Sequence, residues 1–151
     1  MAVNPPDSMH QAGQLAQALA QFGRAWLALA AALAVHVADE ALTDFLGVYN
    51  PAVRRIRSAL PWLPLPTFTF PVWLAGLADG VALLFALGPE AFRGAGWVVV
   101  AAVPLSVVMV GNGLGHIGAS VYMRRPMPGL FSSPLLIVAS VLALVCALRL
   151  L

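Results

Sequence analysis

The run WVVVAAVPLSVVMVGNGLGHIGASVY, residues 97–122, decides the class of this protein. It contains no aspartate, glutamate, lysine or arginine, and it exceeds the roughly 20 apolar residues that cross a hydrocarbon core about 30 Å thick. In lipid such a segment has to be helical, because its backbone N–H and C=O groups have no water to bond with. Two polar residues nevertheless interrupt it, Asn112 and His116, spaced i and i+4.

Outward from this run, three further apolar stretches occur, at about residues 22–45, 71–88 and 134–151. Hydrophobic residues make up 61% of the 151 positions and charged residues 9%, against about 25% charged in a soluble domain. Too few polar side chains remain to coat a water-soluble fold, so lipid has to cover much of the surface. The expected architecture is all-α: an integral membrane four-helix bundle over residues 21–151, preceded by a polar, partly mobile lead-in over residues 1–20. A cleaved leader is not expected, since Arg24 stands late for the charged region of a signal peptide.

The eight basic residues are all arginines, too dispersed for a nucleic-acid footprint. They serve better as topology markers. Arg54, Arg55 and Arg57 follow the first span and Arg124 and Arg125 the third, against Arg24, Arg93 and Arg149 on the other side. The positive-inside rule then puts the first and third loops in the cytoplasm and both termini outside. An Ala- and Arg-rich, lysine-free chain points to a GC-rich bacterial source, hence to a bacterial inner membrane. Trp26 and Trp97 on one side, with Trp62, Trp73, Tyr49 and Tyr122 on the other, read as the interfacial aromatic belt. Residues 50–63, with their arginine cluster, read as a short helix lying at the interface. Cys146 is the lone cysteine, so no disulfide framework and no thiolate metal site is expected.

The chemistry lies in polar residues placed where they are costly. His36, Asp39 and Glu40 share one face of the first span at i, i+3 and i+4. Asp79 interrupts the second span, and Asn112 and His116, continued by Ser120, form a stripe on the third. An ionisable group inside a span costs several kcal/mol unless it is paired, and by default marks function. Counting about 1.5 Å per helical residue from Tyr49 puts Glu40 about 14 Å deep and His36 about 20 Å. The same count gives about 9 Å for His116 and about 15 Å for Asn112 from Tyr122, and about 12 Å for Asp79 from Pro71. Three spans thus deliver polar groups to nearly one level. Gly111, Gly115 and Ala119 form a small-residue stripe expected to let neighbouring helices approach closely.

The run His36-Val37-Ala38-Asp39-Glu40, followed by His116 and then Pro128-Gly129, resembles the HXXEE domain family. That resemblance implies a membrane protein with a His-x-x-Glu-Glu motif, a further histidine and a Tyr-x-Pro-Gly motif, over roughly Ala31 to the C-terminus, with no established reaction. Two departures stand out. Asp39 occupies the place of the first glutamate, keeping the charge and losing a methylene, and Pro126 occupies the place of the tyrosine.

Several readings of the cluster are open. Imidazoles and carboxylates on facing helices build metal centres in bundles. Here the ligands would be His36, Glu40 and His116, with Asp79 or Asp39 added, and the metal zinc or non-haem iron. Without a metal, His36, Asp39, Glu40, Asn112 and His116 could work as general acid and base on a lipid-like substrate entering from the bilayer. A proton or ion relay, or a purely structural polar network, would make the chain a non-enzymatic membrane component. Thr43 and Asp44 sit nearer the interface, and His10 in the lead-in is expected to be exposed. Pro126-Met127-Pro128-Gly129 reads first as a turn.

Overall fold

A computed structural model describes the backbone of residues 5–151 and, from Met9 on, their side chains. The described residues form six helices: α1 (Pro5–Leu42), α2 (Phe45–Ala59), α3 (Phe70–Ala86), α4 (Gly88–Arg93), α5 (Gly96–Met123) and α6 (Ser133–Leu148). The all-helical expectation holds. Three helical stretches, Met9–Leu42, Phe70–Arg93 and Gly96–Met123, are long and apolar enough to cross a membrane, and α6 is a shorter apolar helix. The backbone of most of the polar lead-in is helical and continuous with the first apolar stretch, while residues 1–4 lie outside the described residues.

α1 is the central element, packed against α6, α4 and α3, and α5 packs chiefly against α6. The apolar core fills the end of the bundle around the first half of the α1 span. There Phe22, Trp26, Ala91, Val98, Val99, Ala102 and Ala147 form one cluster, and Ala25, Leu29, Ala32, Leu136, Ala139 and Ala143 continue it along α6. Alanines dominate the α1–α6 seam, so these backbones approach closely.

The expected tryptophan belt needs correcting. Trp26 is 2% exposed and its Nε1 donates to the Leu84 carbonyl at 2.8 Å, locking α1 to α3. Trp73 is likewise buried, stacked on Phe45. Trp62, Trp97 and Tyr122 do point outward. An indole can serve an interface or a core with equal chemistry, and sequence position alone does not separate the two.

The small-residue stripe is a second correction. Gly111 and Gly115 face open space, and the close approach of α5 to α6 falls instead at Gly113. A Cβ there would stand 2.7 Å from Ile137 Cγ1 and 3.1 Å from the Ser133 carbonyl oxygen.

The first apolar stretch does not run on to Tyr49. Thr43 turns both its N–H (3.0 Å) and its hydroxyl (2.5 Å) back to the Asp39 carbonyl, and Asp44 adopts a left-handed φ of 58°. Aspartate tolerates that region because its short polar side chain bonds locally; here Asp44 Oδ1 accepts from Gly47 N–H at 3.2 Å and starts α2. α2 begins earlier than the expected 50–63 segment and is amphipathic, with Leu46 and Val53 buried and Arg54, Arg55 and Arg57 exposed. Asn50 clamps it to the following extended stretch: its Nδ2 donates to the Phe68 carbonyl at 2.9 Å and its Oδ1 accepts from Phe68 N–H at 3.1 Å.

This break revises the depths. Measured from the helix ends at Leu42 and Met123, His36 lies about 9 Å and His116 about 10 Å inside. Both imidazoles therefore share one level near one end of the bundle, shallower on α1 than the tyrosine count implied.

Candidate metal centre

The site is a wedge between α1 and α5, whose backbones make few close approaches, closed from the side by the turn that leads into α6. His36, Asp39 and Glu40 project from the last turns of α1, and Asn112 and His116 from α5. Pro128, Gly129 and Ser132 come from the turn. His36 is fully buried and Glu40 nearly so, while the His116 side chain is 10% accessible.

The turn sets the imidazoles. Both Ser132 N–H and Ser132 Oγ donate to Asp39 Oδ2, at 2.9 and 2.8 Å. With its proton so engaged, the hydroxyl oxygen accepts from His36 Nδ1 at 2.8 Å. A charge-assisted bond to the carboxylate outcompetes the longer 3.2 Å contact of the same hydroxyl with the Gly129 carbonyl. His36 then carries its hydrogen on Nδ1 and presents a lone pair on Nε2. The His116 ring lies against the same turn, its Cε1 and Nδ1 edge directly below Gly129.

Both Nε2 atoms converge on one carboxylate oxygen. Glu40 Oε1 lies 3.0 Å from His116 Nε2 and 3.7 Å from His36 Nε2. The two rings meet edge to face with centroids 4.9 Å apart. Among the described residues, His36, Glu40 and His116 are the one group of this kind able to hold a metal ion, with ligand atoms all within 4.8 Å of one another. Donors that bind zinc tetrahedrally at about 2.0–2.2 Å stand about 3.4 Å apart, and the two separations to Glu40 bracket that value. Two imidazoles, one carboxylate and no thiolate form a donor set that fits zinc with an open position, or non-haem iron.

Gly129 forms the roof. Its φ is +80°, and a Cβ there would stand 3.0 Å from His116 Cε1 and Nδ1 and from His36 Cε1. Only a residue without a side chain fits both that backbone region and the space above the rings. Its carbonyl accepts from Ser133 Oγ at 2.6 Å and Ser133 N–H at 3.1 Å, tying the roof to α6. Ser120 anchors the other end of the turn, donating to the His116 carbonyl at 2.7 Å and accepting from Met127 N–H at 3.0 Å.

The expected residues divide into three groups. His36, Glu40 and His116 come together as ligand candidates. Asp39 holds Ser132, which holds His36, and Asn112 Nδ2 donates to His36 Nε2 at 3.2 Å. Asn112 thus occupies the lone pair that a metal would take, so the amide satisfies that nitrogen only while no ion binds it. Asp79 does not join them. It is exposed on α3, whose inner face is formed by Trp73, Leu74, Leu77, Val81 and Leu84; Asp79, two residues beyond Leu77, points to the opposite side.

Two features escaped the sequence reading. Ser132 and Ser133 precede Pro134, a helix-start signature, and Ser132 sits at the N-cap of α6 yet makes no cap hydrogen bond with its side chain. The other feature is aromatic. Phe45 lies 5.8 Å from His116 and stacks on Tyr49 and Trp73, while Tyr49 stacks on Phe68. These rings, with Gly76 and Leu77, line a cavity of about 320 Å³ beside the site.

A family model described as "Protein of unknown function with HXXEE motif" matches residues 26–144. That span holds every residue of the site, including the His36-Val37-Ala38-Asp39-Glu40 run that supplies the two α1 ligand candidates. Neither the curated proteins nor the solved structures searched gave a match.

Proposed function

This chain belongs to the HXXEE family, and we propose that it is an integral membrane enzyme whose His36, Glu40 and His116 hold a divalent metal. Its substrate is lipophilic and reaches the site from the bilayer. The observation that carries this reading is the convergence of two imidazole Nε2 atoms on Glu40 Oε1, with His36 bonded on its other edge by Ser132 and both rings roofed by Gly129. Orientation of ligand imidazoles by a second hydrogen bond is what metal-binding histidines need. A structural network has no such requirement.

When bound, the metal would supply Lewis-acid polarisation, or redox chemistry if it is iron. The chain's own groups do the rest. Glu40 balances the charge of the ion, Asp39 and Ser132 keep the His36 hydrogen on Nδ1, and Gly129 excludes water from above the rings. Phe45, Tyr49 and Trp73 offer an apolar, stacking surface next to His116, which suits a substrate with a flat or unsaturated segment. Asn112, released from His36 Nε2 on metal binding, becomes a hydrogen-bond donor aimed at the site.

In this reading α1 from about Phe22, α3, α5 and α6 cross the bilayer as four spans, and α2 lies on its surface with Arg54, Arg55 and Arg57 among the headgroups. The excess of arginines at that end supports a site in the cytoplasmic half with both termini outside. The runner-up is a metal-free proton relay, favoured by the Asn112–His36 bond. Metal analysis of the purified protein separates the two. The enzyme reading expects about one zinc or iron per chain, lost in His36→Ala and His116→Ala. Metal-free protein that also takes up none on titration supports the relay.

A further inference from the structure

At the opposite end of the bundle, α1 and α6 flank an open groove of about 470 Å³. Its floor is apolar, made by Ala25, Ala28, Leu142 and Val145, and its mouth carries Gln21, Arg24 and Arg149. Both guanidiniums are exposed, and among the described residues neither forms an ion pair, although Arg24 Nε donates to the Ala20 carbonyl at 3.2 Å. Arg93, on the same side of the molecule, is by contrast already paired with Glu90.

Two unpaired arginines at one rim of an apolar groove define their ligand by charge. Both guanidiniums line the same groove, so an anion placed there meets two positive charges, and their planar forks match phosphate oxygens. The floor below them, Cys146 included, offers no partner stronger than a thiol and suits a hydrocarbon chain. We infer that this groove is a binding site for an anionic phospholipid. The headgroup phosphate is held by Arg24 and Arg149 with Gln21 as a further donor, and an acyl chain runs along Ala25, Ala28, Leu142 and Val145. Basic pockets between transmembrane helices bind anionic headgroups in this manner. The inference rests on the chain being embedded in a bilayer and is independent of the metal centre.

Native mass spectrometry of delipidated protein in detergent, titrated with phosphatidylglycerol or phosphatidylcholine of the same acyl chains, tests it. The expected result is one tightly retained phosphatidylglycerol per chain, preferred over phosphatidylcholine by about tenfold or more. That preference disappears in the double variant Arg24→Gln, Arg149→Gln and persists in Arg93→Gln. Ala28→Phe, which keeps both charges and fills the floor, abolishes lipid retention while leaving the metal content unchanged, and reports even if the double variant does not fold. Equal retention of the two lipids, retention of phosphatidylglycerol by both groove variants, displacement of the lipid by inorganic phosphate alone, or a dimer that closes the groove instead would each overturn the inference.

Discussion

The two halves of the α1 span make opposite use of one helix. From Phe22 to Ala32 the buried face is Phe, Trp, Leu and Ala, and the neighbours are apolar; the polar tie there is Trp26 to a backbone carbonyl. From His36 to Glu40 the same face carries an imidazole and two carboxylates, and every partner is a side chain or turn group that meets them with a hydrogen bond or an ion pair. The first half is held by close packing, the second by a network in which each group fixes the next. On the proposed reading, stability belongs to one end and function to the other, so substitutions in the two halves should fail in different assays.

The largest expected effect at the polar end is that of Gly129→Ala. It forces a side chain into a left-handed backbone position, at a cost of about 1–2 kcal/mol, and pushes a methyl against both imidazoles. We predict loss of metal binding by at least about 100-fold, measured by competition with a chromophoric chelator. Retention of full affinity would break the assignment of the turn as the roof of the site.

At the apolar end, Phe22→Ala should lower stability by about 3 kcal/mol, the low end for such truncations. In a bilayer the loss is packing rather than transfer from water. Its metal affinity, measured in the folded protein, should equal that of the parent. A drop in affinity without a drop in stability would mean that the two halves are not separable.

Ser132→Ala sharpens the comparison from the other side. It removes a hydroxyl and leaves the ligands intact, so metal affinity should fall by about 10–100-fold while the thermal midpoint moves little. The smallest effect is expected for Asp79→Asn. This carboxylate faces outward from α3, so metal stoichiometry should not change and stability should stay within about 0.5 kcal/mol. Loss of metal in that variant would return Asp79 to the ligand set.

Glu40 and Asp79 show what was legible in the sequence. The spacing of His36, Asp39 and Glu40 placed them on one face, and apolar length located the four apolar helices, though neither the start of α2 nor the short α4, because both readings follow from helix geometry alone. Counting residues brought Asp79 to nearly the level of the site. It did not give the side of α3 that turns inward, since that helix carries apolar residues on both sides, and only packing turns Leu84 to α1 and Trp73 to Phe45. The tyrosine-based depth failed for a local reason, the left-handed turn at Asp44 that ends the first helix before Tyr49. Ser132 carried no sequence signal as a site residue, since a serine just ahead of Pro134 shows only the generic pattern of a helix start. Only its departure from that duty, bonding Asp39 and His36 instead, marks it. Gly129 could be read as a turn residue, whereas its position over two rings contributed by distant spans is a fact of tertiary packing.

The central claim is most directly tested by X-ray absorption at the metal edge of protein loaded with zinc. The account predicts a shell of nitrogen and oxygen donors at about 2.0–2.1 Å with the outer-shell scattering of two imidazoles. In His116→Ala, which no longer retains the metal, that protein-bound signal should be lost. A sulfur shell, a signal with no imidazole, or a spectrum unchanged by His116→Ala would contradict it.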